Sequence, residues 1–346
     1  MITFHVGLHK TGSSSIQAAL RLIRHRRDIR VLLPGDTDLA SDRSLYRWLA
    51  SQHHTNNVLV SDEGLFGEAI SGYSLLEERL RFFMEAAGGH PWRVIVFLRE
   101  PQTWLASLYL QTLQEGAAHS PNEFWQRVRG QANINPASLA ALLMKQLPED
   151  RLRIGFMTRN QDVVRSFFRL AELGTVPPMI SGEIRENKSI TPAQGVILRR
   201  LNRQAGISRE EMTKYRHFFQ GAATESVPGL SPFDEEVQVM IHALLDPDWQ
   251  RLIQQLEGSP LVGDQILPAS GVGQGDTVPH VADSFEDALV EREILQIARL
   301  AALQPAGNED SSSTRRGAIL VRHPVKAGSI LARRVAERLR RCPGGR

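Results

Sequence analysis

The chain has 346 residues, of which 42% are hydrophobic and 23% are charged. This composition is typical of a globular protein and argues against a chain that is disordered throughout. The 41 Lys and Arg residues and the 38 Asp and Glu residues leave a net charge of +3, which is too small to indicate a nucleic-acid-binding protein.

The single cysteine and the N-terminus narrow the class of protein further. Cys342 has no partner for an internal disulfide, and one cysteine cannot build a cysteine-type zinc site. Residues 2–6 run directly into a glycine motif, without the basic start and cleavage site of a secretory signal. No stretch reaches the roughly 18 apolar residues that a membrane span needs. We therefore expect a cytoplasmic protein without a transmembrane segment.

Short apolar strands alternate with helices over the first half of the chain. The predicted strands are residues 2–8, 30–33, 57–60, 93–98 and 152–157. The predicted helices are residues 14–27, 73–87, 104–115 and 162–173. Continuous apolar strands separated by helices favour a parallel sheet covered on both faces, so the predicted fold class is α/β. In such sheets ligands bind beyond the carboxyl ends of the strands.

The second half of the chain has a different pattern. Further helices are predicted at residues 191–204, 234–256 and 285–303, with a Gly- and Ser-rich loop at 268–279. Residues 305–317 have the composition of a linker, and six arginines lie between Arg333 and Arg346. We predict a core of residues 1–190, a helical extension of residues 191–304, and a linker with a basic tail over 305–346. A solvated tail explains the arginines better than binding to a membrane surface or an acidic partner.

The first motif lies between the first strand and the first helix. Gly7 and Gly12 allow the backbone to turn sharply and to approach a ligand closely. Ser13–Ser15 place hydroxyl and N–H groups at the start of a helix, where phosphate and sulfate groups bind. Lys10 adds a cation. These residues predict an anion site, although an ordinary strand-to-helix turn capped by glycine and serine is the alternative.

The order of the residues in this motif is informative. A Walker A loop has its lysine directly after the second glycine, whereas Lys10 precedes Gly12. The run Lys10-Thr11-Gly12-Ser13-Ser14 resembles the 5′-phosphosulfate loop of sulfotransferases that use 3′-phosphoadenosine 5′-phosphosulfate (PAPS), above all of their bacterial branch. The resemblance implies a P-loop NTPase-like three-layer fold with a central parallel sheet, flanking helices and a helical C-terminal part. It also implies a set of PAPS-binding residues in the loop. These are Lys10, Thr11, Gly12, Ser13, Ser14 and Ser15.

The second motif follows the strand at residues 93–98. Arg99 comes at the end of this strand, Pro101 suits the first turn of a helix, and Ser107 lies two turns along it. An arginine, a nearby proline and a serine eight residues beyond the arginine resemble the 3′-phosphate motif of the same family. The resemblance implies that Arg99 and Ser107 bind the 3′-phosphate of PAPS. Read alone, Arg99 is equally well explained as a strand-end arginine paired with a carboxylate.

The apolar strand that begins at residue 57 runs on through Ser61 to two acidic residues, Asp62 and Glu63. Sulfuryl transfer to a hydroxyl is helped by a base that removes the hydroxyl proton. The segment Ser61-Asp62-Glu63 resembles the Ser-x-Glu segment that follows this strand in bacterial sulfotransferases, and the resemblance implies that Glu63 is the base, with Asp62 in reserve. Capping by Asp62 and a solvated Glu63 are the alternatives. The segment also resembles the Walker B strand that holds Mg²⁺ in kinases and ATPases, although Ser61 interrupts its apolar run.

Three further residues are weaker candidates. His9 lies inside the first motif, where it either approaches the sulfuryl group as a catalytic residue or packs under the loop. Arg185–Ser189 resembles a late segment of bacterial sulfotransferases that returns to the nucleotide. The resemblance implies that Lys188 or Ser189 contacts the 3′-phosphate, and a polar turn explains this segment equally well.

Taken together, the motifs imply a sulfotransferase that uses PAPS as co-substrate and needs no metal. The acceptor is a hydroxyl of a small molecule, lipid, glycan or glycolipid, and the helical extension is expected to cover the acceptor site. We expect Lys10 to stabilise the charge that develops as the bond between sulfur and oxygen breaks. The alternatives are a P-loop kinase or NTPase that uses Mg-ATP, and a non-catalytic nucleotide-binding module. The sequence leaves the oligomeric state open.

Overall fold

The structure is a computed structural model, and its described residues cover about three fifths of the chain in eight segments. These are residues 1–36, 42–51, 57–158, 161–174, 176–177, 190–203, 231–263 and 267–268. Residues 269–346, which hold the predicted helix 285–303, the linker and the basic tail, lie outside the described residues.

Five parallel strands form a sheet in the order β2-β3-β1-β4-β5. They are β1 (Ile2–Val6), β2 (Ile29–Leu32), β3 (Asn57–Asp62), β4 (Trp92–Leu98) and β5 (Leu152–Phe156). The predicted α/β class is confirmed, and the parallel sheet flanked by helices is consistent with a P-loop-like three-layer fold. Val6 at the end of β1 is in register with Asp62 on one side and Val96 on the other. The central strand therefore ends beside both of its neighbours.

Helices connect these strands and continue after them. Within the described residues they are α1 (Ser13–Ile23), α2 (Asp42–Ala50), α3 (Leu76–Ala87), α4 (Pro101–Gln114), α5 (Pro121–Val128), α6 (Pro136–Gln146), α7 (Val163–Leu170), α8 (Pro192–Asn202) and α9 (Glu235–Leu256). The sequence analysis did not predict α2, α5 or α6, and α3 begins at Leu76 rather than Tyr73. Among the described helices, none combines the length and the apolar character needed to cross a membrane.

Side chains of β1 alternate between two apolar layers, as a strand requires. Phe4 stacks on Phe83 of α3 with ring centroids 4.2 Å apart. His5 points to the opposite face, where its ring meets Phe97 and Phe167 edge-on at 6.0 and 5.0 Å. Helices α1 and α7 form the apolar cluster on this second face. The sheet is therefore covered on both sides, and its carboxyl edge is left to the loops.

The chain divides into two compact units. The described residues of the first unit lie within Met1–Leu108, Trp125–Glu186 and Val239–Asp276, and they include all five strands. The described residues of the second unit lie within Tyr109–Phe124 and Asn187–Gln238. In the second unit, Asn202 donates its side-chain N–H groups to the carbonyls of Leu113 and Ala117 at 2.8 and 2.6 Å. The division into three segments at residues 190 and 304 stays a prediction.

Because His5 of β1 is buried, we expect the protein to lose stability in mild acid. His5 is fully buried with Nδ1 2.7 Å from Ser61 Oγ, and burial lowers its pKa to about 3. Between pH 6.5 and 3 the unfolded chain binds a proton at this residue that the folded chain does not bind. The free energy of unfolding should therefore fall by roughly 1–2 kcal/mol for each pH unit below 6.5. Urea unfolding at intervals from pH 7 to pH 4.5 measures this slope.

Two variants assign the slope to this residue. His5→Gln should flatten it, because glutamine does not titrate. His25→Gln replaces an exposed histidine and should leave the slope unchanged. Equal slopes in wild type and His5→Gln would show that other groups cause the loss of stability in acid.

Candidate functional site

The predicted site residues that the structure describes lie at or beside the carboxyl edge of the sheet. The loop after β1 begins at Gly7. The two strands that pair with β1 in the sheet, β3 and β4, end at Asp62 and Leu98. The Gly7 N–H donates to the Asp62 carbonyl at 3.2 Å, which ties the loop to the end of β3. Arg99 directly follows β4 and donates from Nη1 to the Lys10 carbonyl at 3.3 Å. Segments far apart in sequence are therefore hydrogen-bonded to one loop.

The loop is closed around one carbonyl group. The Leu8 carbonyl accepts hydrogen bonds from the Thr11 N–H at 3.3 Å, from Thr11 Oγ1 at 2.7 Å and from Ser13 Oγ at 3.4 Å. Thr11 and Ser13 are buried, so their hydroxyl groups hold the loop from within. The turn also needs two left-handed residues, Lys10 with φ 64° and Gly12 with φ 88°.

Helix α1 begins without a side-chain cap among the described residues. Its N-cap is Gly12. The N–H groups of Ser15 and Ile16 donate to the Gly12 carbonyl, whereas those of Ser13 and Ser14 have no acceptor among the described residues. Unpaired N–H groups and the positive end of the helix dipole attract an anion. The start of α1 is therefore suited to bind a phosphate or sulfate group.

Both glycines of the loop are required by close contacts. A Cβ atom at Gly7 would overlap the Ser13 side chain and lie 3.0 Å from Cγ of Glu63. A Cβ atom at Gly12 would lie 3.0 Å from a methyl group of Val163, at a φ of 88° that favours glycine. The absence of side chains thus lets the loop pack against Glu63 on one side and α7 on the other.

Arg99 and Ser107 form a hydrogen-bonded pair beside the loop. Arg99 Nη1 donates to Ser107 Oγ at 2.8 Å, and Ser107 is buried on α4. Glu100 caps this helix, because its carboxylate accepts the N–H groups of Gln102 and Thr103 at 2.8 Å each. The cap and Pro101 fix the start of α4, which sets the distance between the strand-end arginine and the serine two turns along.

The two acids at the end of β3 differ in their surroundings. Burial raises the pKa of Glu63, the negative charge of Asp62 adds to this effect, and the positive charge of Lys10 opposes it. Asp62 Oδ1 instead accepts the Gly64 N–H at 2.8 Å and so caps a turn. Glu63 is therefore the acid whose environment suits proton transfer, and it lies near Lys10.

His9 is held through its backbone by two aromatic side chains. Its N–H donates to Tyr73 Oη at 3.1 Å, and its carbonyl accepts from Trp104 Nε1 at 2.7 Å. Its own ring is buried, with Nε2 3.7 Å from the carboxylate of Glu68. The packing interpretation of His9 is thus supported by contacts, and its catalytic role stays a prediction. Sequence reasoning did not connect Tyr73 or Trp104 with this loop, because no local pattern joins residues so far apart.

The remaining candidates lie outside the described part of the chain. Lys188 and Ser189 fall within residues 178–189, which the structure does not describe. Their contact with a 3′-phosphate therefore stays a prediction.

Comparisons with family models, with curated proteins and with solved structures found no match to this chain. Its function is therefore inferred from the residues of the site.

Proposed function

We propose that this chain is a sulfotransferase that transfers the sulfuryl group of PAPS to a hydroxyl of a carbohydrate, lipid or small-molecule acceptor. One observation carries the proposal: Arg99 joins two anion-binding elements. Its Nη1 lies 2.8 Å from Ser107 Oγ and 3.3 Å from the carbonyl of Lys10 in the loop. PAPS carries anionic groups at both its 5′ and 3′ positions, so a protein that binds it needs two anion sites within one nucleotide length.

The two anion sites have different chemistry. At the first, the N–H groups of Ser13 and Ser14 and the dipole of α1 are available to the 5′-phosphate. At the second, Arg99 offers a planar fork of donors, and Ser107 offers a hydroxyl to the 3′-phosphate. ATP has no 3′-phosphate, so the second site favours PAPS over ATP.

The proposed reaction needs one base and one cation. The acceptor oxygen forms a bond to sulfur, and the bond between sulfur and the oxygen bridging to the 5′-phosphate breaks. The electron pair of the broken bond stays on the phosphate oxygen, where the ammonium group of Lys10 stabilises the negative charge. The acceptor proton passes to Glu63. Its pKa is raised above the ordinary value, toward the pH at which a general base works best.

The donor site predicts a specific pattern of ligand stabilisation. A ligand that binds only the folded protein stabilises it by about 3 kcal/mol at a hundredfold excess over Kd. Adenosine 3′,5′-bisphosphate should raise the melting temperature of the wild type, whereas ATP with Mg²⁺ should not. Arg99→Ala should weaken bisphosphate binding by roughly 2–5 kcal/mol, a 30- to 5000-fold loss of affinity, because a charged partner is lost. Thermal unfolding with increasing ligand measures both effects.

Two further variants sharpen this test. Arg99→Lys keeps the charge but loses the planar fork, so its affinity should lie between wild type and Arg99→Ala. Arg127→Ala removes an exposed arginine of α5 and should leave bisphosphate binding unchanged. Stabilisation by Mg-ATP alone would contradict the proposal and make Asp62 a candidate metal ligand in a kinase or NTPase. Bisphosphate binding without any sulfated product from labelled PAPS would indicate a non-catalytic module.

A further inference from the structure

Two buried aromatic side chains form hydrogen bonds with the peptide groups on both sides of His9. Tyr73 Oη accepts the His9 N–H at 3.1 Å, and Trp104 Nε1 donates to the His9 carbonyl at 2.7 Å. Both side chains are only 1% exposed, so water does not compete readily for these hydrogen bonds. Neither residue belongs to the loop. Tyr73 lies outside both motifs, and Trp104 lies within the segment of the second motif but was given no role in binding the nucleotide.

The hydrogen bond from Trp104 also restrains the next residue, Lys10. The peptide plane that holds the His9 carbonyl and the plane that holds the Lys10 carbonyl are joined at the Cα atom of Lys10, and the φ and ψ angles of Lys10 together set the rotation between them. Trp104 binds the first plane, and Arg99 binds the second at 3.3 Å. Lys10 has a φ of 64°, which costs a residue with a side chain roughly 1–2 kcal/mol. These hydrogen bonds therefore hold a conformation that the lysine by itself disfavours.

The two aromatic residues are themselves fixed by short-range backbone bonds. The Tyr73 N–H donates to the Glu68 carbonyl at 3.1 Å, and its carbonyl accepts the Leu76 N–H at 3.0 Å. The Trp104 N–H donates to the Glu100 carbonyl at 2.9 Å, in the first turn of α4. Each aromatic residue is thus part of a hydrogen-bonded turn, and such support is what positioning a neighbouring group requires.

We infer that Tyr73 and Trp104 are positioning residues, which hold the loop backbone so that Lys10 stays in the geometry that transition-state stabilisation needs. This inference rests on the proposed function. A preorganised cation lowers the barrier because it needs no rearrangement when charge develops. Nucleotide affinity comes mainly from the start of α1 and from Arg99 with Ser107. Removing the hydrogen bond of Tyr73 or of Trp104 to the His9 backbone should therefore lower kcat and leave the KM for PAPS nearly unchanged.

Tyr73→Phe and Trp104→Phe test the inference, because each removes a hydrogen-bonding atom and keeps an aromatic ring. We expect kcat to fall roughly 5- to 30-fold in each, as the loss of one buried hydrogen bond allows, with KM for PAPS within about threefold of wild type. Amide hydrogen exchange of residues 7–13 should become faster. Trp92→Phe is the matched control, since Trp92 is buried at the amino end of β4 and its loss should change neither kcat nor loop exchange.

A double variant separates positioning from general destabilisation. If Tyr73 acts through Lys10, Tyr73→Phe should have almost no further effect on kcat in a Lys10→Gly background. Full additivity, or a rise in KM at unchanged kcat, would overturn the inference. Unchanged loop exchange in both aromatic variants would overturn it as well. If the wild type transfers no sulfuryl group, the proposed function fails, and the exchange rates still decide whether the two side chains hold the loop.

Discussion

Replacing Glu63 by glutamine is expected to lower kcat by roughly 10²- to 10⁴-fold and to raise the melting temperature at neutral pH. Glutamine has nearly the same shape but cannot accept the acceptor proton. It also carries no charge, so it avoids the cost of keeping a partly buried carboxylate ionised. Burial raises the pKa of Glu63, because taking the carboxylate out of water makes its charged form less favourable.

The pH dependence of this effect follows from the direction of the pKa shift. The folded state holds the Glu63 proton more tightly than the unfolded chain. Its contribution to stability is therefore present in acid and is lost as the pH rises through the folded pKa. As the pH rises over that same range, the melting temperature of Glu63→Gln should increase relative to that of the wild type. The kcat/KM of wild type should rise with pH through a pKa above 4.5, and this limb should vanish in the variant.

Two controls decide whether Glu63 is the base. Glu78→Gln makes the same exchange at an exposed position of α3 and should change neither kcat nor the melting temperature. Asp62→Asn should retain most of the activity, because Asp62 caps the turn at Gly64 and asparagine can accept the same hydrogen bond. Loss of activity in Asp62→Asn with retention in Glu63→Gln would move the role of base to Asp62.

Replacing Lys10 by glycine should reduce kcat by roughly 10²- to 10³-fold while making the folded protein more stable by about 1 kcal/mol. The loss of activity follows from removing the cation that stabilises the phosphate oxygen as it becomes charged. The gain in stability follows from the φ of 64°, which glycine adopts without the steric penalty that a Cβ atom meets. Single-turnover transfer from PAPS and urea unfolding measure the two effects separately.

Lys10→Ala is the matched comparison for this prediction. Alanine also removes the ammonium group but keeps the Cβ atom, so it should lose the same activity without the gain in stability. A variant whose KM for PAPS rises while its kcat is unchanged would show that Lys10 binds substrate and transition state equally. Equal stability of the alanine and glycine variants would show that the left-handed turn does not strain the loop.

Local patterns in the sequence were sufficient to predict the class of fold and the place of the candidate loop at the carboxyl edge of the sheet. A strand that is buried on both faces of a parallel sheet is a continuous run of mostly apolar residues. The run that predicted β4 has this character, and β4 is buried along its whole length. Gly7, Gly12 and Lys10 stand directly after β1, so their place at the carboxyl edge follows from chain order alone. The start of α5 also had a readable signal, since Ser120 and Glu123 bond to each other's backbone as a capping box.

Only the tertiary structure decided which segments meet at that edge. The strand order sets β3 and β4 on either side of β1, and it thereby brings Glu63 and Arg99 to the same loop. Tyr73 and Trp104 reach His9 across 64 and 95 residues of chain. Periodicity and spacing report on contacts within a few residues, whereas these contacts depend on the pairing of distant strands. The sequence was therefore sufficient to suggest what each residue can do chemically. Which residues it contacts could be determined only from the tertiary structure.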